Sequence, residues 1–462
     1  SSMEKIVQKF GGTSIGNANR MKAVAGIVQK TLENNILPVV VLSALSSRGK
    51  KDGTTSRLLE AAEEAIKKGP YYKIIDHLLD THIKIVKDAI EIRNLREELE
   101  EEIESELHKL KLFLDDIQVI GEISPRSLDV IIGTGEKLSA RIFTSTLISQ
   151  GTDASYVNLD NVIDKPFHEI DQRFCSYLQK KLANLVKECG ANVPVVTGFM
   201  GFVPYGIIRS IGRGYTDFTA ALISTGIRAK ELQIWKEVNG IYTADPKKVN
   251  SAKVLTRITP AEASELTYFG SEVIHPFTME QVTNANIPVR IKNTFEPDLP
   301  GTIIKPPEKS GSEKNGATAV TVKRDIVIVN IQSNRMLMAY GFMSKVFDIF
   351  NRYEIVIDLV STSEVSVSLS LDNMQNLDQA MRDLKHLGSV SLRKGMAILS
   401  LVGEGMKNSV GTAGRMFSNL AEQGINIEVI SQGASEVNIS CAIEDQYSDK
   451  ALKAVHEMLV EI

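Results

Sequence analysis

The last third of the chain repeats itself, and that repeat limits the fold more than any other feature. Strand-like and helix-like segments recur with a period of about 70 residues. The first copy has a strand at 326–331, a helix at 341–352, strands at 355–360 and 365–371, and a helix at 377–387. The second has a strand at 397–402, a helix at 411–423, strands at 425–430 and 437–443, and a helix at 449–460. Val346-Phe347 answers to Met416-Phe417, and Glu354-Ile355 to Gly424-Ile425. Each unit reads β-α-β-β-α and needs one more strand to complete a ferredoxin-like βαββαβ sheet. The first copy has its strand at 389–393. The second runs out of chain, and the unassigned strand at 317–323 completes it, so the first copy is inserted in the second.

The N-terminal two-thirds alternates strands and helices, which argues for a mostly parallel α/β sheet. A short apolar run ends in Lys9-Phe10-Gly11-Gly12, and a helix follows over 17–33. Val39-Val40-Val41-Leu42 is continuous and apolar, as expected of a strand buried on both faces. The runs at 130–132 and 193–196 read the same way. Residues 57–112 read as helical. Ile92, Leu95, Leu99, Ile103, Leu107 and Leu110 recur at spacings of three and four, and glutamates occupy the other faces. The stretch 305–316 (KPPEKSGSEKNG) holds Pro, Gly, Ser and charge with no large apolar residue, and reads as a linker.

Composition narrows the function. With 462 residues, 43% hydrophobic and 24% charged, the chain suits about three globular domains. A net charge of −4 offers no field for nucleic acid or an anionic membrane. No run is long and apolar enough for a membrane span, and Ser1-Ser2-Met3 lacks the apolar stretch of a signal peptide. Cys175, Cys189 and Cys441 form no CxxC pair, so the expectation is a reducing, cytoplasmic setting and no Cys-based metal site. No histidine has metal-ligand spacing with another.

Four motifs carry candidate chemistry. Lys9–Ser14 (KFGGTS) follows the first strand, and its glycines Gly11 and Gly12 let backbone N–H groups approach a phosphate; an ordinary turn with a solvated lysine reads equally well. GRGYTD at 212–217 combines a cation, a hydroxyl and a carboxylate; Arg213 suits a bidentate carboxylate clamp, or the loop is a Gly-rich turn capped by Asp217. GEKLS at 135–139 places Glu136 beside a substrate amine, or in a helix's first turn, where it complements the dipole. YTADPKK at 242–248, within a run that begins GIYTADP at 240–246, holds nucleotide phosphates or is a polar loop. Glycines at strand ends, isolated lysines and one Asp suit phosphoryl transfer, which needs positioning and charge neutralisation rather than a protein nucleophile.

These motifs, with SALS at 43–46, VVTG at 195–198, the segment 269–276 and Lys292-Asn293-Thr294, together resemble the aspartate kinases. The likeness covers essentially the whole chain. It implies an amino-acid-kinase fold over 4–304, in which helices sandwich a mostly parallel sheet. The linker at 305–316 follows, then two ACT domains, the first at 325–394 and the second from 317–324 with 395–462. The implied reaction is ATP-dependent phosphorylation of the side-chain carboxylate of L-aspartate. It opens the route to lysine, threonine, methionine and isoleucine, and Mg²⁺ rides on the nucleotide phosphates without a protein ligand. Lys9 and Asp217 would be catalytic. Ser43, Thr55, Glu136, Arg213 and Thr216 would bind aspartate. Gly11, Gly12, Lys236, Glu237, Tyr242, Asp245 and Lys247 would meet the nucleotide.

ACT domains pair side by side and bind amino acids, which implies a homodimer or dimer of dimers and an inhibitory effector, threonine or lysine. Met336, Gly341, Phe342 and Met343 lie in the matched effector segment, Asp358 would take the effector amine, Ser361, Thr362, Ser363 and Glu364 would line the same pocket, and Asn426 and Ile427 would cover it from the partner chain. Three departures from the commonest pattern resemble fungal-type enzymes: Gly-Tyr-Thr at 214–216 for Gly-Gly-Ser, Lys236-Glu237 for Thr-Asp, and Glu272 for a lysine. The rival readings are another amino-acid kinase, such as a glutamate or acetylglutamate kinase, and a catalytically dead amino-acid sensor.

Overall fold

The computed structural model of the chain describes residues 3–47, 52–212, 214–268, 274–307, 316–334, 341–363, 366–432 and 437–460. It divides into two compact units, Ser1–Ile241 with Ile274–Lys305, and Tyr242–Val273 with Pro306–Ile462.

In the first unit β1 (Glu4–Phe10) alternates with α1 (Ala18–Glu33) and β2 (Ile36–Leu42). Helices α2 (Thr54–Ile66), α3 (Tyr71–Ala89), α4 (Arg93–Ile120) and α5 (Pro125–Ser149) follow. Then come β3 (Ala154–Val157), α6 (Gln172–Glu188), β4 (Val193–Thr197), α7 (Ile207–Ser210), α8 (Tyr215–Ile227) and β5 (Glu231–Lys236). The next two elements, β6 (Arg257–Ile258) and α9 (Pro260–Tyr268), belong to the second unit. The chain returns through α10 (Pro276–Asn284), β7 (Val289–Asn293) and β8 (Thr302–Ile304). The strands of this unit run β3-β4-β2-β1-β5-β7-β8, and each neighbouring pair among them is parallel except β7 with β8. β1 lies near the centre of the sheet, with β2, β4 and β3 on one side, and the chain crosses from β4 to β5 on the other. The carboxyl ends of β1 and β5 therefore flank a switch point, where open α/β sheets place their ligands. Helices α1–α5 share one core cluster with Phe10, Val40, Leu42 and Val195. Asn17 caps α1 by accepting from the Arg20 N–H at 2.9 Å, and Ser124 caps α5 with Pro125 at the first helical position.

The run at 130–132 is not a strand. It lies in the second turn of α5, whose cap and proline start a helix that continues for 25 residues; three apolar residues in a row do not tell a buried helix from a buried strand. The helical stretch at 57–112 is three helices. Ile92 is exposed, 48%, because α4 begins after it, while Leu99, Ile103, Leu107 and Leu110 are buried as their spacing requires.

In the second unit six strands form one sheet, with order β10-β11-β9-β12-β14-β13. They are β9 (Ala319–Ser333), β10 (Leu359–Thr362), β11 (Ser366–Leu371), β12 (Gly388–Val402), β13 (Val429–Gln432) and β14 (Asn438–Glu444). Helices α11 (Phe342–Arg352) and α12 (Leu377–Leu384) cover the first copy, and α13 (Thr412–Glu422) and α14 (Ser448–Val460) the second. The first half of β9 pairs with β12 over Ala319↔Val402 to Lys323↔Ile398, which completes the second copy. Its second half pairs with 388–393 and with β11 in the first copy. The insertion read from the sequence holds, and both copies share two 15-residue strands.

The expected strands at 355–360 and 425–430 are shorter and begin later, at Leu359 and Val429. Ile355 and Ile425 instead close the helices before them. Each follows a residue at positive φ, Glu354 (55°) and Gly424 (71°), and donates its N–H five residues back, to Phe350 and Leu420. That is a Schellman cap, in which the apolar residue packs on the helix's last turn.

Residues 242–268 pack on the second copy. Ala244 and Val249 enter its core with Leu399, Leu420 and Val455. Thr243 Oγ1 meets His456 Nε2 at 2.8 Å, and Glu262 accepts from Thr318 Oγ1 at 2.5 Å. No helix among the described residues is long and apolar enough to cross a membrane.

Candidate functional site

Lys9 is the penultimate residue of β1, and alternation turns it away from Gln8, which bonds Gln233 in the interior. Its Nζ lies 2.9 Å from Asp217 Oδ1, with the two side chains 12% and 17% exposed. Asp217 stands in the first turn of α8, where the helix dipole favours a carboxylate. The loop after β1 must pass the loop after β2 closely: a Cβ on Gly12 would lie 2.3 Å from the Ala44 carbonyl oxygen. Ser46 N–H donates back to Gly12 O at 3.0 Å. Ser43 starts this second loop, and its carbonyl accepts from Ser139 Oγ at 2.7 Å. Thr216 is buried, 3%, against Gly198 at the end of β4. Thr55 is half-buried, one residue into α2.

Glu136 is not in a helix's first turn. It lies in the middle of α5, 1% exposed. Tyr215, the first residue of α8, donates its hydroxyl to Glu136 Oε1. Glu136 Oε2 is buried and has no hydrogen-bond partner among the described residues. Burial pushes this carboxyl up to about 8, against the opposing pull of the Tyr215 hydroxyl and of the backbone at Glu136 and Ala44. Two turns earlier on α5, buried Asp129 accepts from the Ile207 N–H at 2.8 Å and fixes the start of the segment that leads to Gly212. Burial pushes Asp129 up to about 6. Neither Tyr215 nor Asp129 stood out as a site residue in the sequence. Tyr215 was visible only as a bulky residue at a position commonly Gly, and a lone Asp in an apolar stretch carried no signal.

Of the nucleotide candidates, Gly11 and Gly12 form the turn after β1. The Lys236 carbonyl accepts from Thr294 N–H and Oγ1, and Thr294 Oγ1 also meets Ser14 Oγ at 2.8 Å, so the ends of β1, β5 and β7 are tied together. Glu237 faces Arg20 at 3.5 Å. Tyr242, Asp245 and Lys247 stand in the second unit. Tyr242 bridges to Val254, Asp245 accepts from the Lys247 N–H at 2.9 Å, and Lys247 is exposed. Arg213, Glu272, Met336 and Glu364 lie outside the described residues.

Among the effector candidates, Gly341 precedes α11, Phe342 is buried and Met343 packs beside it. Asp358 is paired already: Lys323 Nζ sits 3.3 Å from its carboxylate and 2.9 Å from Asp372. Burial pushes the Asp358 carboxyl up while Lys323 draws it back. Ser361 and Thr362 end β10, and Ser363 bonds Ser366 at 2.8 Å. In the second copy Asn426 bonds Glu428 and Ile427 packs against the core.

Residues 4–293 match the Amino acid kinase family and residues 399–459 an ACT domain. The chain is 44% identical to the aspartokinase of Schizosaccharomyces pombe, over 99% of this chain and 93% of that one. Its fold is similar to that of E. coli aspartokinase III in complex with aspartate and ADP, with a TM-score of 0.80 and 27% identity over 99% of this chain and 100% of that one. The same E. coli enzyme in complex with lysine and aspartate gives a TM-score of 0.78 at 27% identity, over 98% and 99% of the two chains. The family match, the identity to the S. pombe enzyme and the fold likeness agree, and the chain belongs to the aspartokinases of the amino acid kinase family.

Proposed function

We propose that the chain transfers the γ-phosphoryl group of ATP to the side-chain carboxylate of L-aspartate, giving ADP and 4-phospho-L-aspartate, under feedback from an amino acid at the ACT repeats. The observation that carries this reading is the Lys9–Asp217 pair at the carboxyl end of the central strand. An aspartate oxygen forms the new bond to phosphorus as the bond to the β-phosphate oxygen of ADP breaks. The acceptor is already ionised, so no general base is required. Lys9 offsets charge on the transferring group, and Asp217 holds its ammonium in place. Glu136 takes the substrate's α-ammonium and Arg213 its α-carboxylate, with Ser43, Thr55 and Thr216 bonding around them. On this reading the cation arrives with the nucleotide as Mg·ATP.

In the second unit the same reading places the effector at Gly341, Phe342, Met343 and Asp358, with Ser361, Thr362, Ser363, Asn426 and Ile427 around it. The E. coli relative's complex with lysine supports an amino-acid ligand. Since β10 and β13 end the sheet, pairing with a second copy through the repeats is the assembly we favour.

The test is a coupled ADP-release assay with Mg·ATP and L-aspartate, alone and with L-threonine or L-lysine. Turnover suppressed by one of them is expected. Replacing Lys9 by Met or Asp217 by Asn should lower kcat by on the order of 10²–10³-fold with near-UV circular dichroism unchanged. Near-normal kcat in either variant would remove the assigned roles.

A further inference from the structure

Glu136, read above as the amine site, forms a polar pair with Tyr215, whose part the reaction leaves unexplained. They are 79 residues apart in sequence, 1% and 2% exposed, and carried by different helices, α5 and α8. The Tyr215 ring is fixed by the edge of Phe199, with centroids 6.3 Å apart. A carboxylate accepts about four hydrogen bonds. Here the Tyr215 hydroxyl takes Oε1, while Oε2 is buried without a partner among the described residues. A buried polar atom left unmatched is destabilising, so the arrangement stands ready for a donor that arrives with the substrate.

We propose that Tyr215 is a positioning residue for aspartate recognition: its hydroxyl anchors Glu136 Oε1 and so presents Oε2 to the substrate's α-ammonium. The inference rests on the reading of Glu136 as the amine site. Asp217, two residues after Tyr215 on α8, holds Lys9. The first turn of α8 thus aligns the amine end of the substrate through Tyr215 and the phosphoryl end through Asp217.

Steady-state kinetics on the full chain test the proposal, using wild type, Tyr215→Phe, Glu136→Gln and the double variant. The readouts are kcat, KM for L-aspartate, and the inhibition constant of succinate, which keeps both carboxylates and lacks the amine. Tyr215→Phe should raise the aspartate KM about tenfold, the loss of roughly one charge-assisted hydrogen bond. It should leave kcat within about threefold and succinate inhibition unchanged. Glu136→Gln should raise KM further, and the double variant should be no worse than Glu136→Gln, because Tyr215 acts through that carboxylate. Equal weakening of aspartate and succinate by Tyr215→Phe, a fall in kcat at constant KM, or additive effects in the double variant would each overturn the proposal. An unchanged aspartate-to-succinate ratio in Glu136→Gln would overturn the reading of Glu136 itself. A collapsed ratio in Glu136→Gln with none in Tyr215→Phe would overturn the role of Tyr215 alone. If Tyr215→Phe is unstable, comparing the double variant with Glu136→Gln still isolates the hydroxyl, since neither carries a buried carboxylate.

Discussion

A carboxyl group sealed inside α5 stays neutral until a positive charge reaches it, and Glu136 is held that way by burial that pushes it up to about 8. Binding an ammonium requires the charged form. The kcat/KM for aspartate, which reports the free enzyme, should therefore rise with pH up to about 8 before it levels. A profile flat from pH 6 to 9 would contradict this. The same group acts on stability with a definite sign. Its folded value exceeds its unfolded value, so the folded state keeps a proton that the unfolded state releases, and stability falls as pH rises from about 4.5 towards 8. Glu136→Gln should remove that loss. At pH 7 it should stabilise the first unit by on the order of 2–3 kcal/mol while it weakens aspartate binding, a trade common at functional sites. A denaturant midpoint at pH 7 no higher than wild type would count against it. Lys9 and Asp217 stand out in the sequence because each sits in a short motif at a strand end or a Gly-rich loop, whereas Glu136 stands out by its GEKLS motif alone and lies in the middle of α5. Tyr215 does not stand out, because its hydroxyl acts on a residue 79 positions away.

Repeated elements were easier to read than single ones. The first half of β9 was placed in the second copy because that copy lacked a strand and one was spare upstream. The errors came where an apolar residue served something other than a strand. The stretch at 130–132 packs inside a helix, and Ile355 and Ile425 close helices. The Schellman cap makes its own prediction. Gly424 has φ of 71° and open space where a Cβ would go, so Gly424→Ala meets no clash and only the left-handed backbone. It should destabilise the second unit by about 1–2 kcal/mol, seen as a lower denaturant midpoint with an unchanged aspartate KM in the absence of effector. Unaltered stability would mean that the cap carries no strain. Glu354 fills the same place in the first copy at φ 55°, so the repeat keeps the geometry where it has not kept the glycine.

Across the whole chain the sequence break and the structural grouping differ for a physical reason. The Pro- and Ser-rich stretch at 305–316 announces itself by composition, whereas residues 242–268 carry no such mark. Their membership in the second unit comes from partners nearly 200 residues or more away in several cases, such as Thr243 with His456 and Lys248 with Asp449. Long-range packing of that kind leaves no periodicity to read. The shared strands have a further consequence. β9 and β12 each pass through both repeats, so neither repeat can lose its sheet without cutting the other's. The repeats should then unfold together. Val329→Ala, in the core of the first copy, and Leu399→Ala, in that of the second, should each cost about 2–4 kcal/mol and lower the same transition. Under native conditions the amides of 319–323 and 326–332 should exchange with one common protection factor, and both sets should lose protection equally in either variant. Exchange in which Val329→Ala frees only 326–332 would show two separable domains joined by continuous strands rather than one cooperative regulatory body.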